Sequence, residues 1–298
     1  MSTFNGLPEE LLDAILREAL ALPWFTFLEW SRGRPTKDRL GTRSTIPDIL
    51  LVCKTWARVG QRHLYEGIVV HRNSQAKALA SSLLADRRRI HDTTMTLAER
   101  IRRLRINGVQ CKAVEIVLQL ATNVEDLHVS LAVPASAPRI DWLPGLRRMS
   151  PTRLYLHDTE KVHANNDRLI DAIEDAVTAS SDNPAYWNRL EEVHLRSMDF
   201  SIMPGLGAAL SVLPRLRVIT ASEVWCADWW HAFLQLVGNN TRLQAVFLDC
   251  HPKLLDQTLQ GRAKEIVRQN RSELRRQIGL KDYHGRFARM ALDDDPTS

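Results

Sequence analysis

Four histidines, His128, His157, His194 and His251, fall at regular intervals in the middle of this 298-residue chain, each in or just after a short apolar segment. Imidazoles at such spacing could build a metal site or an acid–base cluster. The competing reading is that these side chains occupy the alternate positions of strands, which must leave the core and are filled by polar groups. The second is favoured because the supporting chemistry is missing. No nucleophile elbow, Walker loop, G-x-G-x-x-G, H-E-x-x-H or zinc-ligand spacing occurs, so the expectation is a non-enzyme with no cofactor, no metal and no catalytic residue. A hydrolase built on the strand histidines, with metal- or pH-dependent activity, is the least supported alternative. The cysteines Cys53, Cys111, Cys226 and Cys250 show no paired spacing and read as reduced and mostly buried.

The elements that must position those histidines repeat. Segments of the form apolar-x-x-apolar-x-apolar occur at Ile101-Leu104-Ile106, Val124-Leu127-Val129, Leu190-Val193-Leu195, Leu216-Ile219-Ala221 and Leu243-Val246-Leu248. A sixth, Leu154-x-Leu156, has Pro151 in the first slot; the starts lie 23, 27, 39, 26 and 27 residues apart. Helix-like stretches stand between them: 74–84 behind an N-capping Ser74, 110–122, a run after Asp167, and 227–237. Strand, helix and return at a period in the mid-twenties points to an α/β fold of stacked units with parallel strands, as in a leucine-rich-repeat solenoid. The asparagine or cysteine of that repeat is replaced by Val109, Ala132, Thr159, Met198, Val224 and His251, so irregular repeats are expected. The longer interval implies an insertion near Asn183 to Trp187.

Counting along each unit, the fifth position gives the row Arg105, His128, Tyr155, His194, Thr220 and Phe247. The seventh gives Asn107, Ser130, His157, Arg196, Ser222 and Asp249. Six strands about 4.8 Å apart present a face roughly 24 Å across, wide enough for about 800 Å² of interface. Arg105, His128, Tyr155, His157, His194, Arg196 and Phe247 are the candidate substrate-binding residues; the other reading is a merely solvated wall. Trp225, Trp229 and Trp230 read as core, with one a possible partner-facing anchor.

Composition is that of a folded globular chain, 44% hydrophobic and 25% charged, with a net charge of +5. No run of 18 apolar residues exists, so no membrane span is expected, and the start lacks the layout of a secretory signal; the cysteines, read as reduced, give the expectation of the cytoplasm or nucleus. Two basic clusters, Arg87 to Arg105 and Arg262 to Arg276, raise the alternative of a scaffold for nucleic acid or another anionic partner. They lack interleaved aromatics, and Asp86, Glu99, Glu265 and Glu273 are placed to neutralise them as solvated helix faces.

Two segments near the amino terminus have more apolar surface than a small domain needs. The first runs Leu7-Pro8-Glu9-Glu10-Leu11-Leu12-Asp13-Ala14-Ile15-Leu16. Its proline and glutamates suit a first helical turn, and its apolar residues form a wide stripe. The second, Ile49-Leu50-Leu51-Val52-Cys53-Lys54-Thr55-Trp56, places Ile49, Val52, Cys53, Trp56 and Val59 on one helical stripe and runs on to Leu64-Tyr65. Leu-Pro-x-Glu-Leu-Leu followed by Leu-Val-Cys-Lys-x-Trp resembles an F-box, and the degenerate repeats behind it resemble the F-box proteins of mushroom-forming fungi. The resemblance implies a small helical module that docks on the Skp-type adaptor of an SCF (cullin–RING) ubiquitin ligase. Leu7, Pro8, Leu11, Ile15, Leu51, Val52, Lys54 and Trp56 would meet the adaptor, and the repeats would hold an unknown protein substrate. An insertion over 21–46 departs from the family pattern; Trp24, Phe25, Phe27 and Trp30 indicate that part of it packs down. The expected organisation is an F-box domain over 1–67, repeats over 68–252, and over 253–298 a long capping helix (Leu254 to Ile278) with a disordered tail.

Overall fold

The computed structural model describes residues 7–28, 49–89, 95–109, 111–131, 142–158, 166–178, 187–198, 203–224, 227–250, 277–281 and 287–289. Helices α1 (Glu9–Leu20), α2 (Trp24–Leu28) and α3 (Lys54–Leu64) precede the first strand, β1 (Gly67–Val70). Strands and helices then alternate: α4 (Asn73–Arg89), β2 (Arg103–Asn107), α5 (Lys112–Leu120), β3 (Asp126–Ser130), α6 (Leu143–Leu146), β4 (Arg153–His157), α7 (Asn166–Val177), β5 (Glu192–Arg196), α8 (Met203–Ser211), β6 (Val218–Val224), α9 (Ala227–Gly238) and β7 (Ala245–Cys250). Two more strands, β8 (Gln277–Lys281) and β9 (Phe287–Arg289), close the order.

The nine strands among the described residues form one sheet whose spatial order is the chain order. From β1 to β8 every pairing is parallel, and β9 joins antiparallel. The protein is therefore α/β with a parallel sheet, as the periodicity requires, since parallel neighbours need a crossover between them. The register is unbroken through the middle strands: Leu104, Leu127, Leu154, Val193, Ile219 and Val246 stand side by side. They share one continuous core with helix residues such as Leu83, Leu118, Ile173, Leu210 and Phe233. Neighbouring helices from α4 to α9 pack in sequence order against one another.

A backbone device repeats just ahead of each strand. The Glu66 carbonyl accepts from the N–H groups of Arg102 and Arg103, and the Arg102 carbonyl from those of Glu125 and Asp126. The same pairing continues through Glu125, Thr152, Glu191 and Arg217. Each unit thus hangs on the one before it by hydrogen bonds that no side chain carries. Asparagines do serve from the other end of the unit: Asn123 donates to the Glu99 carbonyl (2.9 Å), and buried Asn240 to those of Leu210 and Leu213 (3.1 and 2.9 Å).

One expectation is corrected, and two further features add to the sequence reading. The helix foreseen over Leu254 to Ile278 lies mostly outside the described residues, but Gln277 and Ile278 at its end belong to β8. They pair with Ala245 and Val246, extending the ladder where a helical cap was expected. Of the insertion expected at Asn183 to Trp187, only Trp187 lies within the described residues; it stands in a turn, is fully buried and donates its indole N–H to the Leu146 carbonyl (2.9 Å). Finally, α6 and α8 were not foreseen, because Leu-Pro-Gly-Leu and Met-Pro-Gly-Leu-Gly carry helix-breaking residues; Pro144 and Pro204 sit in first turns, where no N–H is needed.

Close packing makes Gly145 a sensitive position. A Cβ there would stand 2.5 Å from Leu118 Cβ and 3.3 Å from the Gln119 backbone nitrogen. Gly145→Ala should destabilise by about 1–3 kcal/mol through overpacking, read from urea unfolding; an unchanged midpoint would mean that α5 and α6 separate freely.

Glu174 gives a pH signature. Its carboxylate lies where a side chain at Gly205 would stand, and burial, then Asp171 and Asp175, push its pKa up to about 7. The folded state thus holds this proton more tightly than the unfolded chain, so the associated stability is full below about pH 4.5 and lost as pH rises through 7. Glu174→Gln should be more stable than the native protein by about 1 kcal/mol at pH 8, after allowing for solvent screening of a half-exposed group. The gap should vanish near pH 4. Equal melting temperatures across that range would contradict it.

Candidate functional site

The amino-terminal pair α1 and α3 is held by a small core and by ions. Leu12, Leu16, Leu20 and Val59 are buried, with Ile49, Leu50, Trp56 and Leu64 packed against them. Around this core the Arg58 guanidinium grips Glu9 through both nitrogens (3.1 and 2.7 Å), and Asp13 receives Arg62 and the Nε2 of His63. Burial raises the Asp13 pKa, but the hydrogen bonds from His63 and Arg62 outweigh it and hold the carboxyl below its ordinary value.

Those bonds leave several large apolar side chains of the pair uncovered. Leu7 (39%), Leu11 (54%), Ile15 (49%), Leu51 (79%) and Val52 (57%) are exposed. Leu7, Leu11 and Ile15 recur every four residues, the spacing of one helix face. Pro8 and Lys54 are exposed beside them. Trp56 differs: it is half-buried and turns its ring to the helix-pair core. A second departure is local. The stripe from Ile49 to Val59 does not lie on one helix, because Leu51-Val52-Cys53 forms a turn and α3 starts at Lys54. That turn is what carries Leu51 and Val52 out into solvent. It also exposes Cys53, while Cys111 is buried.

The sheet's polar row is assembled in the expected register, Arg105 beside His128, then Tyr155, His194, Thr220 and Phe247. Its exposure is not as expected. Arg105, His128 and Tyr155 are buried, and the cover is the chain's own insertion. Phe27 of α2 is fully buried, edge-on to His128 and to Tyr155, and its carbonyl accepts from Arg105 (2.7 Å) and from His128 Nδ1 (3.3 Å). Trp24 stacks on Phe27 and takes the Arg153 guanidinium over its ring at 5.2 Å. In the sequence the insertion's role as a plug is legible only as a density of aromatics, which does not place Trp24 and Phe27 on the wall.

Beyond the plug, His157, His194, Arg196 and Phe247 are partly exposed. His194 lies flat on Tyr155, centroids 4.4 Å apart and planes 4° from parallel, with Nε2 3.6 Å from Glu192. Burial pushes the His194 pKa down against the pull of Glu192. Burial, then the Arg105 charge, depresses His128 further, so that imidazole is neutral. A neutral, sealed His128 is a packing and hydrogen-bonding residue. Among the described residues no group of three or more His, Cys, Asp or Glu could hold a metal ion. His251 and Trp225 lie outside the described residues. No described helix is long and apolar enough to cross a membrane.

The basic cluster before and within β2 is split by the strand. Arg105 is buried against α2, and Arg103 stands 6.0 Å over the Phe27 ring. Arg102 pairs with Glu125 (3.2 Å). The carboxylates of Asp86 and Glu99 are taken by the backbone N–H groups of Leu97 and Thr96. Compared with protein-family models and with curated proteins, the chain matches none.

Proposed function

We propose that this protein is the substrate-receptor subunit of an SCF-type ubiquitin ligase, carrying an F-box on α1 and α3 and a solenoid of degenerate leucine-rich-like repeats behind it. The observation that carries the reading is the exposed stripe of Leu7, Leu11, Ile15, Leu51 and Val52 on a helix pair whose charged flanks are already ion-paired. Large apolar side chains left exposed beside satisfied charges are the form of a docking site, and a helical stripe with the spacing of Leu7, Leu11 and Ile15 fits a groove in a partner. The adaptor would cover it, and each leucine buried in the contact would contribute about 1.5–3 kcal/mol. The substrate would meet the open part of the polar wall, His157, His194, Arg196 and Phe247. The subunit performs no bond chemistry; its contribution is proximity of substrate to the conjugating enzyme.

Co-purification with a Skp-type adaptor tests this. Capture should survive a rise from 50 to 500 mM salt, because the contact is apolar, whereas phosphate-backbone binding by Arg clusters falls steeply with salt. A protein that fails to hold the adaptor at either salt concentration is not this kind of receptor.

A further inference from the structure

A cavity of about 290 Å³ opens on the other flank of the amino-terminal helices, where they meet the approach to β2. Asp13 and Arg17 of α1, Arg62 and His63 of α3, and Glu66 form one side; Met95, Arg100 and Arg102 form the other. Arg102 is already paired with Glu125 (3.2 Å), which leaves three guanidiniums, those of Arg17, Arg62 and Arg100, facing the carboxylates of Asp13 and Glu66. The Asp13 carboxylate is committed to Arg17 (3.0 Å), Arg62 and His63, and the half-exposed Glu66 stands 3.9 Å from His63 Nδ1. The donors are not exhausted. The Nε of Arg62 is buried without an acceptor, and among the described residues Arg100 has no carboxylate within ion-pair reach.

We infer that this cavity binds a phosphate monoester dianion. The excess of positive charge selects an anion, and several guanidinium forks around one space match the tetrahedral oxygens of a phosphoryl group better than a planar carboxylate. A fixed Asp13 holds Arg62 and Arg17 in place before the ligand arrives, which reduces the ordering cost of binding. The volume admits a phosphoryl group with part of the residue that bears it and falls just short of a drug-sized pocket. At 100° per residue, Asp13 and Arg17 lie about 200° around α1 from Leu11 and Ile15. The cavity and the apolar stripe can therefore be filled together, and the inference stands whether or not an adaptor binds.

Full-length protein titrated with inorganic phosphate, followed by isothermal calorimetry and by NMR of the arginine side chains, tests it without any partner. The native chain should show saturable binding, and Arg100→Gln and Arg17→Gln should each weaken it at least tenfold with unchanged melting temperature. Arg189→Gln, a distant exposed arginine, should bind as the native chain does. Absence of saturation at tens of millimolar phosphate would overturn the proposal, as would a loss of the same size in Arg189→Gln, which would mean diffuse charge only. Free phosphoserine and a phosphoserine peptide then identify the source. A peptide at least tenfold tighter assigns the site to a phosphorylated protein segment, and equal affinities assign it to a small phosphate ester.

Discussion

Leu11→Asp combined with Leu51→Asp should abolish capture of a Skp-type adaptor, at least a hundredfold, while leaving the fold intact. Both side chains are more than half exposed, 54% and 79%, so neither supports the helix pair. Surface substitutions of that kind move stability by about 0.5 kcal/mol or less. In the complex the accounting is different. Two leucines removed from the contact forfeit about 3 kcal/mol or more, and an unpaired carboxylate forced against an apolar groove adds a desolvation penalty. A loss of 2.7 kcal/mol is already about a hundredfold. Leu16→Asp supplies the contrast. Leu16 is fully buried between α1 and α3, so this change should unfold the module and lose the adaptor for a different reason, visible by circular dichroism. If the doubly charged variant folds and still captures the adaptor, the apolar stripe is not the interface.

The distinction between Leu11 and Leu16 was only partly legible in the sequence. Spacing shows that the apolar stripe of α1 is wider than one helix contact needs, but not which leucines its partner helix covers. That depends on where α3 begins, and the Leu51–Cys53 turn decides it. A period of 3.6 residues continued through that turn places Ile49, Val52 and Val59 on one stripe, whereas the backbone breaks the helix and turns Val52 outward. The sheet was far more legible, because a period of two within a strand and a recurrence in the mid-twenties between strands leave one arrangement of parallel neighbours. The register of the six strands β2 to β7 is the one that the apolar pattern dictates. What pattern could not give was long-range cover. Arg105 and His128 occupy outward positions, and outward in a strand means solvent only if nothing else lies there. Phe27, 78 and 101 residues earlier in the chain, lies there.

Phe27→Ala should therefore uncover the wall that the strands by themselves would present. Phe27 is fully buried, and truncating a phenylalanine in such a site costs about 3–5 kcal/mol. The helix that carries it has five residues, too few to be stable alone in water. The loss should fall on the docking of α2 and spare the sheet, whose core cluster does not include Phe27. Amide protons of α2 should exchange at least a hundredfold faster, with those of β2 to β5 little changed. His128 then reports independently. Its pKa is held down by burial first and by Arg105 second, so re-entry of water should raise it toward the ordinary value near 6.5, read by NMR titration of the imidazole. The Arg105 charge remains, and the rise should stop short of that value. Unchanged exchange in α2 and an unmoved His128 would mean that the insertion is held by contacts other than Phe27. If both move, Arg105, His128 and Tyr155 join His194 as one open row, and substrate capture by the Phe27→Ala variant becomes the measure of whether the insertion competes for the face it covers.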